Sequence, residues 1–152
     1  MELNTVLVAV GPTEENRVAD LTDSVCAVAG PADARVVLFH SFTESAFAEG
    51  VEETGHDPED PPEPDEVAAL LESMDAMSTS LGERDIEYDI HSAIGPPIDS
   101  ILGAIDEADA DMVFVGGRGR SPVGKAIVGS TAQKVLMNAS CPVVFLREDR
   151  EA

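Results

Sequence analysis

The residues best suited to chemistry lie in one stretch, Gly116-Gly117-Arg118-Gly119-Arg120 through Gly129-Ser130-Thr131. Two residues separate Gly116 from Gly119, and nine more precede Gly129-Ser130. An apolar run, Met112-Val113-Phe114-Val115, leads in, and Thr131-Ala132-Gln133-Lys134-Val135-Leu136 leads out with helical character. A strand, a glycine-rich loop and a helix N-terminus together bind anions. Glycine lets the backbone approach a phosphate closely, and the free N–H groups of the first helical turn point at it. The cations agree. The chain has 9 Lys and Arg against 30 Asp and Glu, a net charge of −21, yet Arg118, Arg120, Lys125 and Lys134 cluster here. Local charge opposite in sign to the whole chain suits phosphate neutralisation.

The same stretch lacks the parts of a catalyst. No acidic residue lies between Asp111 and Glu148, so the loop brings no carboxylate for a metal. Lys125 is followed by Ala126, not by the Ser or Thr that closes a P-loop. His40 ends a strand and reads as structural rather than as a general base, while His56 lies in an acidic segment and His91 in another strand, neither with an identifiable partner. Cys26 and Cys141 form neither a close pair nor a metal pattern, and both read as small buried hydrophobes. No catalytic residue and no metal site is assigned.

These residues need a scaffold, and the apolar pattern supplies one. Thr5–Val10, Arg35–Ser41, Met112–Val115 and Val143–Leu146 are short β-branched runs that read as buried strands, and Ile86–Ser92 alternates as a half-exposed strand near an edge. Val18, Leu21, Val25 and Val28 give one helix, which Gly30-Pro31 ends. Val67, Leu70, Leu71, Met74, Met77 and Leu81 give a second, which opens at Pro64 or Asp65 and closes at Gly82. Ile98, Ile101, Leu102 and Ile105 give a third after Gly95-Pro96-Pro97. Residues 43–64, rich in Glu, Asp, Pro and Gly, read as a mobile acidic loop. The alternation of strand and helix predicts an α/β domain spanning 1–152, its parallel sheet covered on both faces. Ligands in such sheets bind beyond the C-terminal ends of the strands, where the strand order reverses.

Composition narrows the partners. At −21 the chain repels nucleic acid and anionic membrane surfaces, and one Tyr with no Trp leaves few platforms for base stacking. Two Lys beside 30 acidic residues suggest the interior of a salt-loving organism. The N-terminus enters the first strand directly and no apolar run nears the ~18 residues of a membrane span, so a cytoplasmic protein is expected.

The spacing Gly-x2-Gly-x9-Gly-Ser, formed by Gly116, Gly119, Gly129 and Ser130, resembles the signature of the ATP-binding branch of the universal stress protein family. Phe39-His40, Gly95-Pro96-Pro97, Asp111–Gly116 and Ser140–Val144 extend the resemblance along nearly the whole chain. It implies a flavodoxin-like, doubly wound five-stranded parallel sheet of order 3-2-1-4-5, and a homodimer through Val143, Val144, Phe145 and Leu146. It also implies ATP or a related adenine nucleotide, with Mg²⁺ arriving only through the phosphates. Val115, Gly116, Gly119, Arg120, Gly129, Ser130 and Thr131 would hold ribose and phosphates, while Ala9, Val10, Gly11 and Ser41 would border the adenine. Gly11 departs from the family's pattern, in which an Asp at this position contacts the nucleoside. The missing charge-assisted hydrogen bond is worth roughly 1.5–3 kcal/mol unless Thr13 or Glu14 replaces it.

Three functions stay open on these residues: a non-enzymatic nucleotide-binding stress-response dimer, a protein-interaction dimer of the same fold that has lost nucleotide, and an ATP-using enzyme. The third is disfavoured because the chain lacks both a loop carboxylate and the Ser-Gly-Gly-x-Asp-Ser pattern of related ATP pyrophosphatases.

Overall fold

Five apolar segments pair as one parallel sheet in a computed structural model that describes residues 2–10, 18–117 and 130–147. The strands are β1 (Thr5–Ala9), β2 (Arg35–Phe42), β3 (Tyr88–Ile94), β4 (Met112–Gly117) and β5 (Val143–Arg147), in spatial order β3-β2-β1-β4-β5. The helices are α1 (Val18–Ala32), α2 (Glu44–Glu53), α3 (Pro64–Leu70), α4 (Glu72–Glu83), α5 (Pro97–Ala108) and α6 (Ser130–Asn138). The expected α/β class and strand order are observed.

Side-chain alternation along the strands sends apolar residues to two cores. Val6, Val8, Val36, Leu38 and Phe114 pack with Leu21 and Val25 of α1, Val67 of α3, and Met74, Met77 and Leu81 of α4. Leu7, Val37, Phe39, Val113 and Val115 pack on the other face with Ile101 and Ile105 of α5 and Ala132 and Val135 of α6. Central strands buried on both faces must be apolar at every position, which is why β1 reads as an unbroken run.

Three helix-to-strand connections use one device. Asp33, Asp85 and Asp109 adopt φ of 57°, 58° and 54° after α1, α4 and α5. The next residue then donates to a carbonyl five positions back: Ala34 to Ala29, Ile86 to Leu81 and Ala110 to Ile105, each at 3.0 Å. This is the Schellman closure, with Asp in the left-handed position that Gly usually occupies. Asp111 then ties the start of β1, its carboxylate accepting from the backbone N–H of Asn4 at 2.9 Å and Thr5 at 3.0 Å.

Several boundaries differ from the sequence reading. The segment 43–64 is not a continuous loop, because Glu44–Glu53 forms α2. Thr43 caps it by accepting from the Ala46 N–H at 3.1 Å, and Val51 is buried. A Cβ on Gly50 would come within 2.9 Å of Val67, so only glycine lets α2 approach α3 this closely. The helix expected from Pro64 to Gly82 is two helices. Leu71 is extended (φ −66°, ψ 144°), serves as the N-cap of α4, and redirects the chain so that Leu70 faces solvent at 55% exposure. Pro31 lies inside α1, which runs on to Ala32. β3 begins two residues later than its alternation suggested.

Candidate functional site

The C-terminal ends of β1 and β4 lie side by side, with Ala9 in register with Val115. Ala9 also pairs with Phe39 on the β2 side, and the Val10 N–H extends that ladder by donating to Phe39 O at 2.8 Å. The chain leaves β1 toward β2 on one side and occupies β4 on the other, so the strand order reverses between β1 and β4. Helices that leave β1 and β4 toward opposite faces open a crevice at such a point.

Val10 is buried and Ala9 half-buried at the floor of this end, beside Val115 and Gly116. α6 connects two parallel strands, so its first turn lies at their C-terminal end. Ser130 there is exposed and Thr131 half-buried, while Ala132 and Val135 anchor the helix to the sheet. N–H groups in the first turn of a helix lack an intrahelical carbonyl partner and can serve an anion. Thus Ala9, Val10, Val115, Gly116, Ser130 and Thr131 come to one end of the sheet, with Ser41 at the end of β2. Gly11, Gly119, Arg120 and Gly129 lie outside the described residues, as do Arg118 and Lys125.

Ser41 carries an unmet demand. Its Oγ is shut off from solvent and has no hydrogen-bond partner among the described residues. An orphaned buried hydroxyl costs about 1–3 kcal/mol, so such groups mark places where a partner is absent. Ser41 pairs in register with Ala93 of β3, which offers it no side-chain acceptor. The sequence placed Ser41 at the strand end but carried no signal that its hydroxyl is isolated, since that depends on β3 and on residues distant in the chain.

His40 has the opposite character. It is 4% exposed, its Nδ1–H donates to Val10 O at 2.7 Å, and its ring meets Phe42 edge-on with centroids 4.5 Å apart. Burial lowers its pKa, partly opposed by the bond to Val10. A neutral imidazole locked onto the carbonyl at the end of β1 holds β1 and β2 together at the mouth of the site. Among the described residues, no group of three or more His, Cys, Asp and Glu side chains is arranged to hold a metal. No helix there is long and apolar enough to cross a membrane.

Comparison with known proteins agrees with this geometry. Residues 2–147 match the model of the universal stress protein family. A universal stress protein of Mycolicibacterium smegmatis is 32% identical over 72 residues, 47% of this chain and 55% of that protein. A second from Thermus aquaticus, named for its place in the QAH/OAS sulfhydrylase 3′ region, is 42% identical over 53 residues, 35% of this chain and 39% of that protein. The match thus spans about half or less of these curated relatives. The solved universal stress protein of Archaeoglobus fulgidus superposes with a TM-score of 0.68 at 23% identity, covering 97% of this chain and all (100%) of that one. An A. fulgidus structure in complex with dAMP gives 0.65 at 18% identity over 97% of this chain and 100% of its own. An Arabidopsis thaliana family protein with AMP bound gives 0.65 at 14% identity over 97% and 93%. At these identities the likeness is one of fold.

Proposed function

The chain belongs to the universal stress protein family, and on that premise we propose that it is a non-enzymatic, adenine-nucleotide-binding stress-response protein of the ATP-binding branch. The observation that carries the reading is the junction of β1 and β4. Ala9 and Val115 lie in register at the switch point, and the glycine motif begins in β4 at Gly116 and ends on the first residue of α6, Ser130. Phosphates would take the N–H groups of Ser130 and Thr131 together with Gly119 and Gly129. Arg120 would supply charge, and Ala9, Val10, Gly11 and Ser41 would border the base.

The orphaned Ser41 hydroxyl fits a polar ligand edge better than it fits an apolar plug. Relatives of the same fold described with AMP and dAMP support an adenine nucleotide as the class. A bound nucleotide triphosphate would bring Mg²⁺ through its own oxygens, since the loop supplies no carboxylate. The non-enzymatic assignment rests on the sequence: no acidic residue lies between Asp111 and Glu148, and Lys125 is followed by Ala126 in place of the Ser or Thr of a P-loop.

The active unit is a homodimer through β5. This strand is one edge of the sheet and is apolar at Val143, Val144, Phe145 and Leu146, and an apolar edge invites a second chain. The protein works in the cytoplasm of a halophile, where counterions screen its charge. Gly11, where the family's pattern has Asp, favours one second reading: a dimer of the same fold that has lost nucleotide.

The test is mass spectrometry of small molecules released from protein purified in high salt, with AMP and ATP titrations of the parent and of Gly119→Val. Release of an adenine nucleotide, with binding abolished by Gly119→Val, is the expected result. An empty site with no measurable affinity overturns the proposal in favour of the second reading. Undiminished binding by the variant moves the site elsewhere.

A further inference from the structure

A second concavity lies away from the β1–β4 junction. On the face covered by α5 and α6, these helices pack over β1, β2, β4 and β5, while β3 projects beyond them. Asp89, His91 and Ala93 of β3 share that face with Val37 and Phe39, their register neighbours in β2 being Val37, Phe39 and Ser41. A groove of about 700 Å³ results, floored by Val37, Phe39 and Ala93 and walled along α5 by Gly103, Ala104 and Ala108. That volume lies within the range of roughly 300–1,000 Å³ typical of small-molecule sites.

Its charges are arranged unevenly. Arg35, at one end, is held by Asp89 in an ion pair. Asp65 reaches over the β3 edge, accepting from Ser92 Oγ at 2.7 Å and lying 3.6 Å from His91 Nδ1. Asp99 and Glu107 line the α5 wall and have no ion pair or side-chain hydrogen bond among the described residues. The two carboxylates stand eight positions apart, about 12 Å along the helix axis. Between them on the wall lie Gly103 and Ala104, and a Cβ added at Gly103 meets nothing within 4 Å. A trough of mixed lining, with an apolar floor and an unpaired carboxylate toward each end, suits an aliphatic chain carrying ammonium groups near both ends.

We infer that this groove is a binding site for a linear polyamine. Its methylenes lie along Val37, Phe39 and Ala93, and its terminal ammonium groups meet Asp99 and Glu107, with Asp65 facing them across the groove. Cationic heads with apolar stems are well served by such a split surface. A basic peptide in the same trough fits less well, because its backbone N–H and C=O groups would be buried against a floor with no partners for them. The overall charge of −21 raises the local concentration of any cation but selects no place for it; the groove geometry does.

The probe is spermidine, titrated calorimetrically into the full chain at the lowest salt that keeps it folded. Saturable one-to-one binding is expected. Asp99→Asn and Glu107→Gln should each weaken it on the order of fivefold, the upper end for an exposed ion pair. Gly103→Phe should abolish it by filling the trough, with nucleotide binding unaffected. A control that neutralises exposed carboxylates elsewhere, Glu52→Gln with Glu59→Gln, should leave the affinity within twofold. Should Gly103→Phe fail to fold, the double variant Asp99→Asn/Glu107→Gln carries the test alone. Weak unsaturable uptake, an equal loss in the Glu52/Glu59 control, full affinity in the groove variants, or binding of a lysine-rich peptide in place of spermidine overturns the inference.

Discussion

Replacing Ser41 by alanine should make the empty protein more stable and the liganded one weaker. The two signs have a common origin. Ser41 Oγ is buried without a partner among the described residues, so the folded chain bears the desolvation of one hydroxyl, about 1–3 kcal/mol. Alanine keeps the Cβ and the β2 ladder opposite Ala93 and removes only that oxygen. For a chain of 152 residues each kcal/mol moves the melting temperature by roughly 2–4 °C, so a rise of about 2–12 °C is expected without ligand. If the hydroxyl meets a polar edge of the bound base, its loss removes a neutral hydrogen bond of about 0.5–1.5 kcal/mol, roughly a two- to thirteenfold weaker affinity. Thermal unfolding with and without saturating AMP, combined with an AMP binding isotherm, reads both quantities on the same pair of proteins. A Ser41→Ala variant that melts lower than the parent refutes the orphaned hydroxyl. One that melts higher yet binds AMP as tightly as the parent refutes its placement against the ligand.

Four further outcomes are expected. Burial holds the pKa of His40 below its ordinary 6.5, so below that value the unfolded chain takes up a proton that the folded chain refuses. Stability therefore falls as pH drops through 6.5 and levels off below the folded pKa, and unfolding curves of His40→Gln should lack this component. Asp109→Gly should stabilise by about 0.5–1 kcal/mol in denaturant titrations, because glycine adopts the left-handed position at the end of α5 without the Cβ penalty and removes a negative charge from the helix C-terminus. Val144→Pro should convert the dimer to monomer in sedimentation while far-ultraviolet dichroism stays unchanged, and a parent that sediments as a monomer at micromolar concentration would count against the β5 interface. The melting temperature should rise between about 0.1 M and 1 M salt, as the Debye length shrinks from ~10 Å to ~3 Å; a flat response would remove the argument for a halophile.

The strand runs and their order along the chain were legible in the sequence because each is a local property. Val6–Ala9 and Met112–Val115 are apolar at every position, and only a strand covered on both faces demands that. The spacing of Gly116, Gly119, Gly129 and Ser130 is likewise a property of adjacent residues, and the strand order followed from the family resemblance it carries. Long-range packing decided the rest. α2 escaped notice because its few apolar residues, Phe47 and Val51 among them, gain meaning only against Phe42 and Val67, which the close approach at Gly50 makes possible. The apolar stripe from Val67 to Leu81 fits one helix as well as two, and the extended Leu71 that divides it is set by packing around the β3 edge. Asp33, Asp85 and Asp109 read as ordinary surface acids until the backbone shows each in the left-handed region. The isolation of Ser41, the bond of His40 to Val10 and the trough beside α5 arise where β1, β2, β3 and α5 meet, and no local sequence pattern encodes a neighbour thirty or more residues away.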